Sequence, residues 1–195
     1  TILNGADLSN KDLTGTILKG ADLTDVTLPN IVLSGMNLQK TIFDGMDLSE
    51  KSLAASSLWY TSFKNTNMQN MDLRFADLTK TDLTGANLFG SDFTDTAFFM
   101  ANLSGVKSLP DVTMVGTNFH SADLSGTDFT TSKRLVATIF KETNLSNSNF
   151  EGVDLSPNDV FSQEFKNVDK DILEGIPEGD YSDSLALLMD LGYIG

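Results

Sequence analysis

Cysteine is absent from the 195 residues, which excludes disulfides, zinc–thiolate sites and thiol catalysis while leaving the compartment open. Histidine occurs once, as His120, at an outward place in the pattern described below, where it reads as an ordinary surface residue. No GxSxG, HExxH, Walker loop or GxGxxG occurs, and neither does the calcium-binding glycine-rich nonapeptide. Positive charge is scarce: 13 Lys and Arg stand against 27 Asp and Glu, for a formal net charge of −14. Binding to nucleic acid needs cations for the phosphates, so this balance argues against it and fits a basic partner or simple solubility. No apolar run approaches the roughly 20 residues of a membrane-spanning helix. The expectation is a protein with no cofactor, no metal, no membrane insertion and no enzymatic activity.

What the sequence does have is a period of five. Leu, Phe or Met stands at every fifth position from Leu3 to Leu103, twenty-one times without a slip. The register then moves by one to Leu109, Met114, Phe119, Leu124 and Phe129, and by one again to Leu135, Phe140, Leu145, Phe150, Leu155, Val160 and Phe165. Residues five apart on an α-helix lie about 140° from each other and form no stripe. On a flat strand they point to opposite faces. Two residues before each centre stands a second residue that is usually small or apolar, such as Ala21, Val26, Met46, Ala76 or Ala101, and the residue between them is mostly Asp, Asn or Ser. Residues two apart therefore share a face, as in a strand, and a bend must reset the phase at every pentad boundary. Glycine recurs there (Gly5, Gly20, Gly35, Gly45, Gly85, Gly90), where it relieves the steric cost of the bend. A chain that turns by a fixed angle every five residues with one side always inward is a coil with flat faces.

The phrases Ala6-Asp-Leu-Ser-Asn, Ala21-Asp-Leu-Thr-Asp, Ala76-Asp-Leu-Thr-Lys, Ala86-Asn-Leu-Phe-Gly, Ala101-Asn-Leu-Ser-Gly and Ala122-Asp-Leu-Ser-Gly resemble the pentapeptide-repeat family. The resemblance implies an all-β fold, a right-handed quadrilateral parallel β-helix of about eight coils with four pentads per turn. It covers residues 1–166 and leaves 167–195 as a C-terminal tail. The Asp before each centre belongs to the consensus, so the acidity comes with the repeat. The two register jumps predict bulges at corners, within 104–109 and 130–135, because an extra residue inside a face would flip the side chains that follow. Lys11 and Lys51 fall at inward places, and their amines are expected to reach water past a locally distorted wall. Because the chain opens inside a repeat, a further segment is expected before residue 1.

With four pentads per coil, residues 20 apart stack, and the sequence becomes a surface map. One outward column reads Lys19-Gly20, Gln39-Lys40, Trp59-Tyr60, Thr79-Lys80 and Phe99-Met100. Trp59, Tyr60, Phe99 and Met100, with Phe75 and Phe89 on what read as the neighbouring two sides, form the candidate protein-binding patch. Water gains nothing from six large apolar side chains, and Trp and Tyr are favoured interface anchors. In the tail, Ser182 or Asp183 can cap a short helix that places Leu185, Leu188 and Met189 on one face, with Gly192 as its stop. This is read as a cap over the last coil, or as a homodimerisation element, since SLALLMDLGYIG is similar in kind to the tails of quinolone-resistance pentapeptide proteins.

Two functions compete. The first is a non-catalytic scaffold or structural module that presents an acidic, rigid β-helix and its aromatic patch to a partner protein or larger assembly. The alternative is a DNA mimic that binds gyrase or another topoisomerase, as the resemblance to quinolone-resistance proteins implies. The acidity and tail favour the mimic; the exposed aromatics and the absence of a projecting loop in the first twenty-one repeats weigh against it. By the same resemblance the compartment is a soluble one, the cytoplasm or, in a photosynthetic organism, the thylakoid lumen.

Overall fold

A computed structural model describes residues 3, 5–13, 16–28, 33–106, 109–132, 134–151 and 153 of the chain. Centres Leu155, Val160 and Phe165 and the tail, with Leu185, Leu188 and Met189, lie outside the described residues.

The period of five is one side of a four-sided coil. Up to the first register jump, each isolated parallel bridge pairs residues 20 apart, as in Asp22↔Ile42, Ile42↔Ser62 and Ser62↔Asp82. Bridges that span a jump pair residues 21 apart, such as Asp92↔Thr113 and Asn118↔Ile139. Sides are numbered here by their centres. The first carries Leu23, Phe43, Phe63 and Leu83, the second Leu48, Met68 and Leu88, the third Leu33, Leu53 and Leu73, and the fourth Leu38, Leu58 and Leu78. Among the described residues, pairing lengthens into strands only on the third side, β1 (Thr113–Val115) and β2 (Arg134–Val136), parallel with Met114 opposite Leu135.

Hydrogen bonding explains the consensus residue by residue. In the pentad around Leu78, the Leu78 amide donates to the Ala97 carbonyl of the next coil (2.7 Å) and Lys80 to Phe99 (2.8 Å). The Thr81 amide closes the turn onto the Leu78 carbonyl (3.1 Å), and Asp82 reaches the coil before, at Thr61 (3.1 Å). Four of the five amides are thus served by ladder or turn, and the fifth, on Thr79, has neither. It donates to Asp77 Oδ1 at 3.0 Å. The same bond recurs from Ser9 to Asp7, Thr24 to Asp22, Ser49 to Asp47 and Thr130 to Asp128. Asp or Asn before the centre is therefore a local cap on an otherwise orphaned amide. Hydroxyl and amide of Ser9 and Ser49 hold the Asp7 and Asp47 carboxyls below the ordinary carboxylate value, and the Thr24 amide and hydroxyl do the same to Asp22.

The corner residue two after the centre takes a positive φ, with glycine at some corners and Lys40, Tyr60, Phe75, Lys80 or Met100 at others. This is what a turn with a left-handed third residue demands, and outside glycine it is a sparsely populated conformation.

Inside, centres stack on centres. Phe98, Phe119 and Phe140 form one column with centroids 5.0 and 5.6 Å apart, near the strand spacing of about 4.8 Å. The positions two before the centre are filled by small apolar residues or by buried Thr and Ser, whose hydroxyls donate to centre carbonyls of the coil below: Thr41 to Leu18 (2.9 Å), Thr61 to Leu38 (2.8 Å), Thr66 to Phe43 (2.9 Å). No buried side-chain nitrogen or oxygen among the described residues lacks a partner. Leu3, Leu8 and Leu28 are partly buried against this core.

Lys11 is exposed and Lys51 half-buried, so neither amine is sealed in the coil. The bulges, in contrast, correct the expectation that they fall at corners. Val106 keeps the inward place and the turn bond to Leu103 (3.0 Å), and Leu109 is fully buried, so the first extra residue enters between them, within the second side. Ser132 likewise keeps its turn bond to Phe129 (2.9 Å) and its hydroxyl bond to Leu109 (3.0 Å), with Leu135 buried beyond, which puts the second within the third side. The reason is that a corner is pinned by its turn bond, whereas the stretch entering a side is not. The next corner resets the phase, and no later side chain is flipped. Residues 107, 108 and 133 lie outside the described ones.

Candidate protein-interaction face

The fourth side carries the outward column of the patch. Its corner amides run up the rod as one ladder: Lys40 donates to Trp59 (2.9 Å), Tyr60 to Thr79 (3.1 Å), Lys80 to Phe99 (2.8 Å) and Met100 to His120 (3.0 Å). This backbone fixes the spacing of the side chains it bears. Trp59 is 44% exposed, Tyr60 52%, Phe99 36% and Met100 48%. Phe75, at 62%, stands on the corner where the third side turns into the fourth, and so joins them. Phe89 does not. It is 40% exposed but follows Leu88 on the second side, opposite the fourth, so the reading of it as a neighbour is corrected by the four-sided closure.

Four polar residues, Lys80, His120, Ser121 and Glu142, enter the patch that composition alone did not single out. Lys80 Nζ lies 5.4 Å from the Tyr60 ring centroid and donates to Tyr60 Oη at 3.2 Å. One coil above Phe99, His120 packs edge-on to its ring, with centroids 5.0 Å apart and planes at 88°. His120 Nε2 lies 3.6 Å from Glu142 Oε2, and the Ser121 hydroxyl donates to the same oxygen at 3.3 Å. His120 is therefore half-buried in a contact chain rather than a free surface residue. The signal was available in the sequence: once the single register jump is added, His120 falls directly above Phe99.

Arrayed this way, the face offers aromatic surface, thioether and cations, a combination suited to gripping another polypeptide. Among the described residues no group of His, Asp and Glu is arranged to hold a metal ion. No helix among them is long and apolar enough to cross a membrane.

No curated protein matches this chain in sequence. Among solved structures it is similar to a pentapeptide repeat protein of the Arabidopsis thaliana thylakoid lumen, at 25% identity over 65% of this chain and 72% of that one, with a TM-score of 0.37. It is also similar to a trypsin-treated form of QnrB1, a plasmid-mediated fluoroquinolone resistance protein, at 20% identity over 98% and 83% of the two chains and a TM-score of 0.41. For HetL, a pentapeptide repeat protein involved in heterocyst differentiation regulation in the cyanobacterium Nostoc, the values are 20%, 75%, 79% and 0.25. The model of the pentapeptide-repeat family matches in eight copies over residues 1–28, 17–53, 56–95 and 98–133, well over half of the sequence. The chain belongs to the pentapeptide-repeat family.

Proposed function

We propose that this protein is a non-catalytic scaffold that binds a partner protein through Trp59, Tyr60, Phe75, Phe99 and Met100 on the fourth side of its β-helix. The observation that carries this reading is the exposure of five large apolar side chains on one face of a fold whose centres are packed inward. A ladder-bonded backbone presents them with little conformational entropy left to lose on binding. The solenoid would be right-handed, would run to about residue 166 and would stay in a soluble compartment. The tail of 167–195 would cap it or join two copies through Leu185, Leu188 and Met189. The DNA-mimic alternative is weaker on this face, because aromatic rings and lysines match the phosphate surface of a duplex poorly.

Trp59→Ala separates binding from packing. At an exposed position the change should alter stability by less than about 0.5 kcal/mol. At an interface anchor it should weaken capture of the partner by about 2 kcal/mol or more, some thirtyfold. Thermal melting and quantified pull-down from the source organism, on wild type and variant, give both readings. A variant that melts several degrees lower and loses no partner would make the patch internal packing and end this proposal.

A further inference from the structure

The fourth side carries a positive balance in an acidic chain. Its pentads carry Lys19, Lys40, Lys80 and Lys141 against only Asp77 and Glu142, in a chain whose formal net charge is −14. By pentad, the first and second sides are the reverse: Asp22, Asp25, Asp44, Asp82 and Asp123 oppose Lys64 on the first, and Asp7, Asp47, Glu50, Asp111, Asp128 and Glu151 oppose Lys107 on the second, while the third is close to balanced, with Lys11, Lys51, Arg74, Lys133 and Arg134 against Asp12, Asp72, Asp92 and Asp95.

Pairing sharpens the contrast. On the first side Lys64 Nζ meets Asp82 Oδ2 at 3.2 Å, and on the third Arg74 Nε meets Asp72 Oδ1 at 2.8 Å and Asp92 Oδ2 at 3.9 Å. No carboxylate among the described residues pairs with any of the four fourth-side lysines. Lys80 rests on Tyr60 instead, a neutral partner that leaves its charge uncompensated.

Resting on the scaffold reading above, the geometry points to a specific chemistry of partner: an acidic polypeptide segment with interspersed apolar or aromatic side chains, laid along the fourth side. Its carboxylates would meet Lys40 and Lys80, which flank the Trp59-Tyr60 pair one coil below and one above, about 5 Å away on each side. Its apolar side chains would pack on Trp59, Tyr60 and Phe99. A nucleic acid would gain from the same lysines and rings. It would also extend its phosphates toward the acidic first side across the Tyr60–Lys80–Met100 corner, within the screening distance of about 8 Å at physiological ionic strength. A protein segment can end its charge where the lysines end.

The test uses the full chain and a fluorescein-labelled synthetic peptide of alternating glutamate and tyrosine, followed by anisotropy. Controls are an alternating lysine–tyrosine peptide and a single-stranded thymidine oligonucleotide. The acidic peptide should bind, weaken with added salt, and lose about tenfold or more in affinity with Lys40→Glu/Lys80→Glu. The control peptide should not bind. Equal binding of the lysine peptide, tighter binding of the oligonucleotide, or no binding at all overturns the proposal. So does concentration-dependent self-association that Lys80→Glu abolishes, which would give the face to a second copy. If Trp59→Ala loses a captured partner but Lys40→Glu/Lys80→Glu retains it, the scaffold reading stands and the acidic partner falls. If the charge-reversed variant alone loses it, the acidic partner stands and Trp59 is not its anchor.

Discussion

A single carboxylate shows how the repeat consensus arises. Asp128 accepts the Thr130 amide at 2.9 Å, the bond that completes the backbone accounting of its pentad. The acceptor oxygen is what the orphaned amide needs, which is why Asn serves at Asn67, Asn102, Asn118 and Asn144, and the carboxylate's charge adds to the bond where a hydroxyl joins the amide, as at Asp7, Asp22 and Asp47. Asp128→Asn should therefore leave the melting temperature nearly unchanged, whereas Asp128→Ala should cost about 0.5–1.5 kcal/mol by stranding a half-buried amide. Denaturant melts of the two variants check this, and equal loss in both would show that the charge was doing the stabilising. Sequence reasoning recovered the Asp position as a pattern but not its cause, because a hydrogen bond to an amide two residues on leaves no mark in composition. The buried Thr residues were missed for a related reason. Thr41 and Thr61 look polar, yet each occupies a core niche because a carbonyl one coil below accepts its hydroxyl.

At the scale of a side or a stack, the period of five was enough to place the core. Leu, Phe and Met centres are inward wherever they are described, since the size of the centre side chain is a direct response to the space inside the coil. The placement of bulges was not legible: the sequence records that a residue is added, but which step absorbs it depends on which backbone bonds are already committed. That Phe89 stands apart from the patch was legible, since four pentads per coil already put Leu88 two sides away from Leu78 and Phe98; the reading of it as a neighbour miscounted the sides. The Phe98, Phe119 and Phe140 column gives the sharpest energetic expectation. Phe119 is fully buried between rings at 5.0 and 5.6 Å. Phe119→Ala should destabilise by about 3–5 kcal/mol, and Phe119→Leu, an exchange the repeat makes freely elsewhere, by much less. Urea titrations followed by far-UV circular dichroism measure both; similar losses for the two would mean that ring stacking, not volume, holds this column.

Across the whole molecule, the Asp caps and the net charge pull in opposite directions, and pH with salt separates them. The carboxyls of Asp7, Asp22 and Asp47 are held below their ordinary value of 3.8 by hydrogen bonds that exist only in the coil. A carboxyl whose folded value is depressed contributes stability above its unfolded value and loses it as pH falls through the folded one. Stability from these groups should thus be level from pH 7 to about 5 and decline below about 3.8. Repulsion within a chain of charge −14 acts the other way, because protonation relieves it. Repulsion is long-ranged and screened by salt, whereas an Asp–amide hydrogen bond is local and is not. Raising ionic strength at pH 7 should therefore raise the melting temperature, while at pH 3 the same salt should not restore what protonation of the caps removed. Melting curves at the two pH values, each at low and high sodium chloride, decide between the terms. Full recovery by salt at pH 3 would assign acid loss to net charge and strip the caps of their stabilising role.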